Sequence, residues 1–246
     1  MLHVVEHPGP GALVVLVHGS MDRGSSFGRT VKAMADLHVV TYDRHGYGHS
    51  TTDTPHTTLA QHVDDLLEIV AGRRSVVVGH SYGGDVALLA SIERPDLVTA
   101  VGAFEAPMPW APWWPSVSAG SAAMAAESPE EAAEAFMVRV VGARVWSRLP
   151  RPTKEARRAE GATLVAEMES IRGDAPFDPA DVRVPVVAGS GAASEPRHRD
   201  SAARLAEAVP DGELVTIDGA GHGAHLSHPK DFAAFVRRVA ERGGVA

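Results

Sequence analysis

The strongest constraint on how this chain can fold is a rhythm. Short runs dense in valine and leucine recur along it, and segments with helical apolar spacing lie between them. ALVVLVHG (Ala12 to Gly19), LHVVTYD (Leu37 to Asp43), SVVVGH (Ser75 to His80), LVTAVGAFE (Leu97 to Glu105), VPVVAGSG (Val184 to Gly191) and ELVTIDG (Glu213 to Gly219) read as strands. A further short strand near Leu2 to Glu6 suits a sheet edge. Nearly continuous apolar runs are expected where both faces of a parallel sheet are covered. Helices are expected at Ser26 to Ala35, Thr57 to Val70, Tyr82 to Glu93, Arg197 to Val209 and Pro229 to Arg242. Strand and helix in alternation predict an α/β fold, a mostly parallel sheet of about seven strands with helices on both faces.

The rhythm stops between Ala106 and Asp181. That stretch carries no strand pattern. It opens with the rigid, aromatic APMPWAPWWP and continues with helical patterns at Pro129 to Val141 and Thr153 to Ile171. Ser128, Pro129 and Glu131 form a helix start, with Glu131 at the capping-box position. The expected organisation is an α/β core of residues 1–106 and 181–246, with a helical lid inserted at 107–180. The chain is long enough for one such core, at 246 residues of which 44% are hydrophobic.

Charge and composition narrow the partners. A net charge of −8 argues against non-specific nucleic-acid binding. No cysteine is present, which excludes disulfides and thiolate chemistry. No signal-peptide pattern or membrane-length apolar run is visible, so a cytoplasmic protein acting on a small molecule is expected, with no membrane partner. No apolar face is clearly left over to define an oligomer.

The chemistry centres on Gly79-His80-Ser81-Tyr82-Gly83, a G-x-S-x-G pattern between a predicted strand and a predicted helix. Small residues on either side of Ser81 let a sharp turn pack closely and lift the hydroxyl above the sheet edge. The backbone N–H of Tyr82, at the helix start, then faces any oxyanion that forms. A serine hydroxyl needs a base. GAGHGAHLSHP supplies His222, His225 and His228 after the last strand, a loop that a parallel sheet places at the same carboxyl edge. His222, between two glycines, is the candidate base; His225 and His228 read as packing or helix-start residues. Their three-residue spacing lacks an adjacent carboxylate or cysteine complement, so no metal and no cofactor is expected. The turn His18-Gly19-Ser20-Met21 supplies the second oxyanion donor, the N–H of Ser20, with Met21 as the alternative and as a substrate contact. His18 and His80 read as hydrogen-bonded turn residues.

Two carboxylates compete to orient His222. Glu105 ends a buried apolar strand, a costly place for a charge without a partner. Glu195 is the first acid after the Val184 strand.

Taken together, HGS at His18 to Ser20, YDRHGYGHS at Tyr42 to Ser50, GHSYGG at Gly79 to Gly84 and GAGHGAHLSHP resemble the α/β-hydrolase superfamily over nearly the whole chain. The resemblance implies the α/β-hydrolase fold and the chain order nucleophile, acid, histidine. It makes Asp43 a structural residue of its turn. It also implies an acid just after the Val184 strand, where this chain has Ala192 and Ala193 instead. Some haloalkane dehalogenases are similar in this respect. They carry a catalytic Glu at the end of the strand before the lid, followed by a Pro-rich, Trp-containing segment like EAPMPW, which favours Glu105. Their chemistry, and epoxide hydrolysis, are disfavoured because they use an aspartate where this chain has Ser81. The expected activity is therefore hydrolysis of an ester-type bond by Ser81, His222 and Glu105. Trp110, Trp113 and Trp114 are candidates to line an apolar or aromatic pocket. A non-hydrolytic enzyme of the same fold, or a ligand-binding module, is the alternative, since fold and triad do not choose a substrate.

Overall fold

The computed structural model describes residues 1–51, 54–56 and 58–244. Seven strands build one sheet: β1 (His3–His7), β2 (Leu13–Val17), β3 (His38–Asp43), β4 (Ser75–His80), β5 (Val98–Phe104), β6 (Val186–Gly191) and β7 (Gly212–Ile217). Their spatial order is β1-β3-β2-β4-β5-β6-β7. All neighbours run parallel except β1, which pairs antiparallel to β3 at the edge. Helices α1 (Gly28–Val31), α2 (Leu59–Val70) and α3 (Tyr82–Glu93) precede β5. Helices α4 (Ala119–Met124), α5 (Pro129–Val141), α6 (Ala143–Arg148), α7 (Arg151–Ala159) and α8 (Gly161–Ser170) lie between β5 and β6. Helices α9 (Pro196–Ala208), α10 (Ala224–Ser227) and α11 (Pro229–Arg242) follow.

The valine runs are strands because successive side chains enter two different cores. Val15 and Val17 of β2 pack on the side of Leu66 in α2 and Val86 in α3. Val14 and Leu16 point the other way, toward Val31 in α1 and Phe232 and Val236 in α11. With a period of two, both sets are buried and no position along the strand needs to be polar.

The sheet order has a reversal that matters for the site. From β2 the chain runs to β3 on one side, then returns past β2 to β4 and continues outward through β7. The loops after β2 and β4 therefore diverge, opening a crevice at the carboxyl edge. Ser20 and Ser81 lie on these two loops.

Some expected elements differ in extent. The Ser26 to Ala35 helix is a short 3-10 turn, Gly24–Phe27, followed by the single turn of α1. The chain then bends through turns at Ala33 and Met34 to feed β3. Helix α2 begins at Leu59, with Thr58 as its cap; the predicted start at Thr57 lies outside the described residues. The expected Thr153 to Ile171 helix is two helices broken at Glu160. Gly161 passes so close to α5 that a Cβ there would sit 1.9 Å from the carbonyl oxygen of Pro129. Ser128 caps α5 as read, accepting from the N–H of Glu131. The Glu131 carboxylate, however, takes the N–H of Glu127 and not that of the cap residue. The alanine-rich stretch after Ser118 is α4, started by reciprocal hydrogen bonds between Ser118 and Ser121.

Candidate active site

Ser81 sits between β4 and α3 with φ 53° and ψ −129°. A non-glycine residue in that region costs on the order of 1–3 kcal/mol and persists only when its surroundings force it. The surroundings are visible. A Cβ on Gly79 would lie 2.0 Å from the Gly83 carbonyl oxygen, and one on Gly83 would lie 2.3 Å from the Val17 carbonyl oxygen. The two glycines let the turn close on itself and on β2. Met21 and Glu105 also hold positive φ, at 59° and 52°. Three strained residues thus gather at the carboxyl ends of three adjacent strands, β2, β4 and β5.

Glu105 is fully buried and makes three hydrogen bonds. Its Oε2 lies 2.6 Å from His222 Nδ1. Its Oε1 accepts from the N–H of Gly191 at 2.8 Å and from Ser194 Oγ at 2.5 Å. Burial alone would raise its pKa. The bond from His222, the nearby His222 and His198 rings and the Gly191 N–H outweigh burial and hold the carboxyl below its ordinary value. Glu195 also borders the cavity over Ser81, but its half-exposed carboxylate pairs with Arg197, and at the N-cap position of α9 it makes no side-chain cap bond. Of the two competing acids, the fold brings Glu105 to His222.

The imidazole of His222 is flanked by two others. His198 stacks on it, with ring centroids 4.4 Å apart and planes 23° from parallel. Burial, then the neighbouring His222, depresses the His198 pKa to about 3. On the other side His80 Nε2–H donates to the His222 carbonyl at 2.8 Å. Burial pushes His80 well below the ordinary histidine range. His18 accepts the Arg44 N–H at Nε2 (2.8 Å), and burial beside Arg44 lowers its pKa to about 3. Asp43 accepts from the N–H groups of Gly24 and His49, holding its turn. His225 is buried against Asp22, 3.2 Å away.

A cavity of about 260 Å³ opens over Ser81. Ser20, Ser81, Tyr82, Trp114, Phe136, Met168, His198 and His222 are among its walls. The other expected pocket residues are engaged elsewhere. Met21 is buried with Tyr47 and the apolar face of the helical insertion. Trp110 packs edge-on against Phe177, and Trp113 lies under the Arg204 guanidinium. None of these three side chains borders the cavity.

Two clusters near the site pair histidines with a carboxylate: Glu105, His198 and His222, and Asp22, His80 and His225. In both, histidine and carboxylate are already joined by a direct hydrogen bond, so an ion would have to displace it. Ser194 and His198 were not singled out from the sequence. Neither has a motif; their relevance follows from β6 lying beside β5. Asp85, one helical turn after Ser81, is also fully buried, and burial raises its pKa well above normal. Among the described residues, no helix is long and apolar enough to cross a membrane.

Comparison with known proteins agrees with this layout. The sequence profile described as "Alpha/beta hydrolase family" matches residues 14–235. The chain is 25% identical to the sn-1-specific diacylglycerol lipase ABHD11 of Mus musculus, over 89% of this chain and 78% of that one. A local match to Epoxide hydrolase A of Mycobacterium tuberculosis is 36% identical but covers 43% of this chain and 35% of the relative. Among solved structures, the enol-lactonase from Burkholderia xenovorans LB400 superposes with a TM-score of 0.75 at 20% identity, over 98% of this chain and 96% of that one. The likeness to that structure concerns fold alone. The profile, spanning nearly the whole sheet and its loops, makes this protein a member of the alpha/beta hydrolase family.

Proposed function

We propose that the protein is a serine hydrolase that cleaves a carboxylic ester, lactone or thioester of a small substrate with an apolar or aromatic portion. The observation that carries this reading is the 2.6 Å contact between His222 Nδ1 and the buried Glu105, with His222 and Ser81 bordering one cavity. Glu105 has its second oxygen taken by Gly191 and Ser194, so it holds the ring with Nδ1 protonated and leaves Nε2 as the acceptor.

In this reading Ser81 Oγ attacks the acyl carbonyl carbon while its proton passes to His222 Nε2. Glu105 stabilises the imidazolium. The N–H groups of Ser20 and Tyr82, and the N-terminal end of α3, meet the charge that develops on the carbonyl oxygen. The tetrahedral adduct collapses, the C–O or C–S bond breaks, and the imidazolium protonates the leaving group. Water then attacks the acyl-enzyme, giving its proton to His222, and releases the acid and free Ser81. Trp114, Phe136 and Met168 offer the apolar walls that would hold the substrate's carbon skeleton. Residues 107–180 serve as the lid over the cavity. No cofactor or metal takes part.

The test is labelling with a fluorophosphonate, followed by turnover of ester, thioester and lactone panels. Stoichiometric labelling at Ser81, lost in Ser81→Ala and His222→Ala, is expected. A folded wild type that resists the probe and turns over nothing would overturn the reading in favour of a binding module.

A further inference from the structure

Helix α8 of the insertion reaches both residues whose N–H groups form the proposed oxyanion hole. Glu167 and Ser170 lie three positions apart on α8, hence on one face. Ser20 Oγ donates to Glu167 Oε2 at 2.5 Å, across 147 residues of sequence. Ser170 Oγ lies 2.9 Å from Tyr82 OH, and its own proton goes to the Glu167 carbonyl at 2.8 Å, so Tyr82 is the donor of that pair. One side of the hole is thus tied to Glu167 and the other to Ser170.

The anchor itself is rigid. Glu167 is buried, and its carboxylate also accepts from Arg44 Nη1 at 2.5 Å and Tyr47 OH at 2.8 Å. Arg44 in turn donates Nε–H to the His18 carbonyl at the end of β2. A second grip follows on the same loop, where Arg157 of α7 donates to the Met21 carbonyl at 2.7 Å. Side-chain bonds to a loop residue fix its backbone direction, and an oxyanion donor acts only if its direction is right.

We infer that Glu167 and Ser170 are positioning residues: α8 sets the separation and aim of the Ser20 and Tyr82 N–H donors, so the insertion builds the oxyanion hole as well as covering the cavity. This rests on the serine-hydrolase reading. Met168 of the same helix lines the cavity. The helix that walls the cavity is therefore the one that holds both donors.

The experiment compares wild type with Ser20→Ala, Ser170→Ala, Ser170→Thr and Glu167→Leu on p-nitrophenyl acetate, and measures inhibition by benzeneboronic acid and by benzoate. The boronate forms a tetrahedral adduct on the serine; benzoate does not. Ser20→Ala and Ser170→Ala are each expected to lower kcat about tenfold with KM within about twofold, since a misdirected donor loses part of its worth. Boronate affinity should weaken by the same factor while benzoate affinity holds. Ser170→Thr, which keeps the hydroxyl, should restore kcat. Glu167→Leu leaves Arg44 without its partner and is expected to lose activity through folding; the two serine variants leave the ion pair intact and decide the matter. If both fold and keep wild-type kcat and boronate affinity, or if KM rises in place of a fall in kcat, the inference fails alone. A wild type inert to ester and boronate would overturn the hydrolase reading and this inference with it.

Discussion

Replacing Glu105 by glutamine exchanges one oxygen for an NH₂ group and should cost about four orders of magnitude in kcat. The size follows from the hydrogen bonds. Oε1 faces the Gly191 N–H, which can only donate, so the introduced amide must place its oxygen there. Its NH₂ then faces His222 Nδ1, where Oε2 stood at 2.6 Å. A donor at that position turns Nδ1 into an acceptor and moves the ring proton to Nε2. The imidazole can no longer take a proton from Ser81, and the stabilising charge is gone as well. The analogous acid-to-amide change in a serine protease triad lowers kcat by about 10⁴, or about 5.5 kcal/mol in barrier. The assay is steady-state ester hydrolysis with the rate of fluorophosphonate labelling as the readout of nucleophilicity. Both should fall together in Glu105→Gln, with the urea midpoint showing that the chain still folds. Glu195→Gln, half exposed and paired with Arg197, should leave both within about twofold. A folded Glu105→Gln enzyme that keeps more than about a tenth of its kcat would refute the assignment, since the tautomer argument demands a far larger loss. So would a Glu195→Gln enzyme that loses as much.

Further outcomes follow from other parts of the structure. Ser81→Ala should abolish turnover and labelling while far-UV circular dichroism and the urea midpoint show a folded chain; retained turnover would move the nucleophile elsewhere. Gly83→Ala should destabilise by about 3 kcal/mol, the upper end of the usual overpacking cost, because its Cβ would meet the Val17 carbonyl at 2.3 Å and β2 is locked in register with β4. Gly72→Ala, at φ +76° in open space, should cost only about 1 kcal/mol in the same urea titration. Burial raises the Glu160 carboxyl from 4.5 to about 7 against the opposing pull of Arg23. A carboxyl whose folded pKa lies above its unfolded value binds its proton more tightly when folded. Its contribution is therefore full below about pH 4.5 and is lost as pH rises through about 7, by about 3 kcal/mol in total. Wild-type urea midpoints should fall across that window more than those of Glu160→Gln; parallel curves would contradict the buried, protonatable Glu160.

Most of what has a local period or a local shape was already determined by the order of the amino acids, although the expected Ser26 to Ala35 and Thr153 to Ile171 helices are each broken in two. Strands β2 to β6 were legible because each of those runs is buried on both faces and needs no polar alternation, whereas β1 and β7, at the sheet edges, keep exposed residues. Ser81 was legible because its turn demands glycines at fixed offsets, and His222 because glycine-flanked histidine after the last strand has few structural uses. Tertiary structure decided whatever depends on which loops meet. Glu105 and Glu195 are both plausible acids along the chain. Only the adjacency of β5, β6 and β7 puts Gly191, Ser194 and His222 around Glu105, while Glu195 pairs with Arg197. Trp110, Trp113 and Trp114 look alike in sequence, yet Trp114 alone borders the cavity, since Phe177 and Arg204 occupy the faces of the other two. Glu167 carried no motif at all. Its significance comes from a helix 147 residues after Ser20 being folded back over the loop after β2. Local pattern reports how each segment buries its apolar side; it holds no record of the distant donor that a buried carboxylate will find.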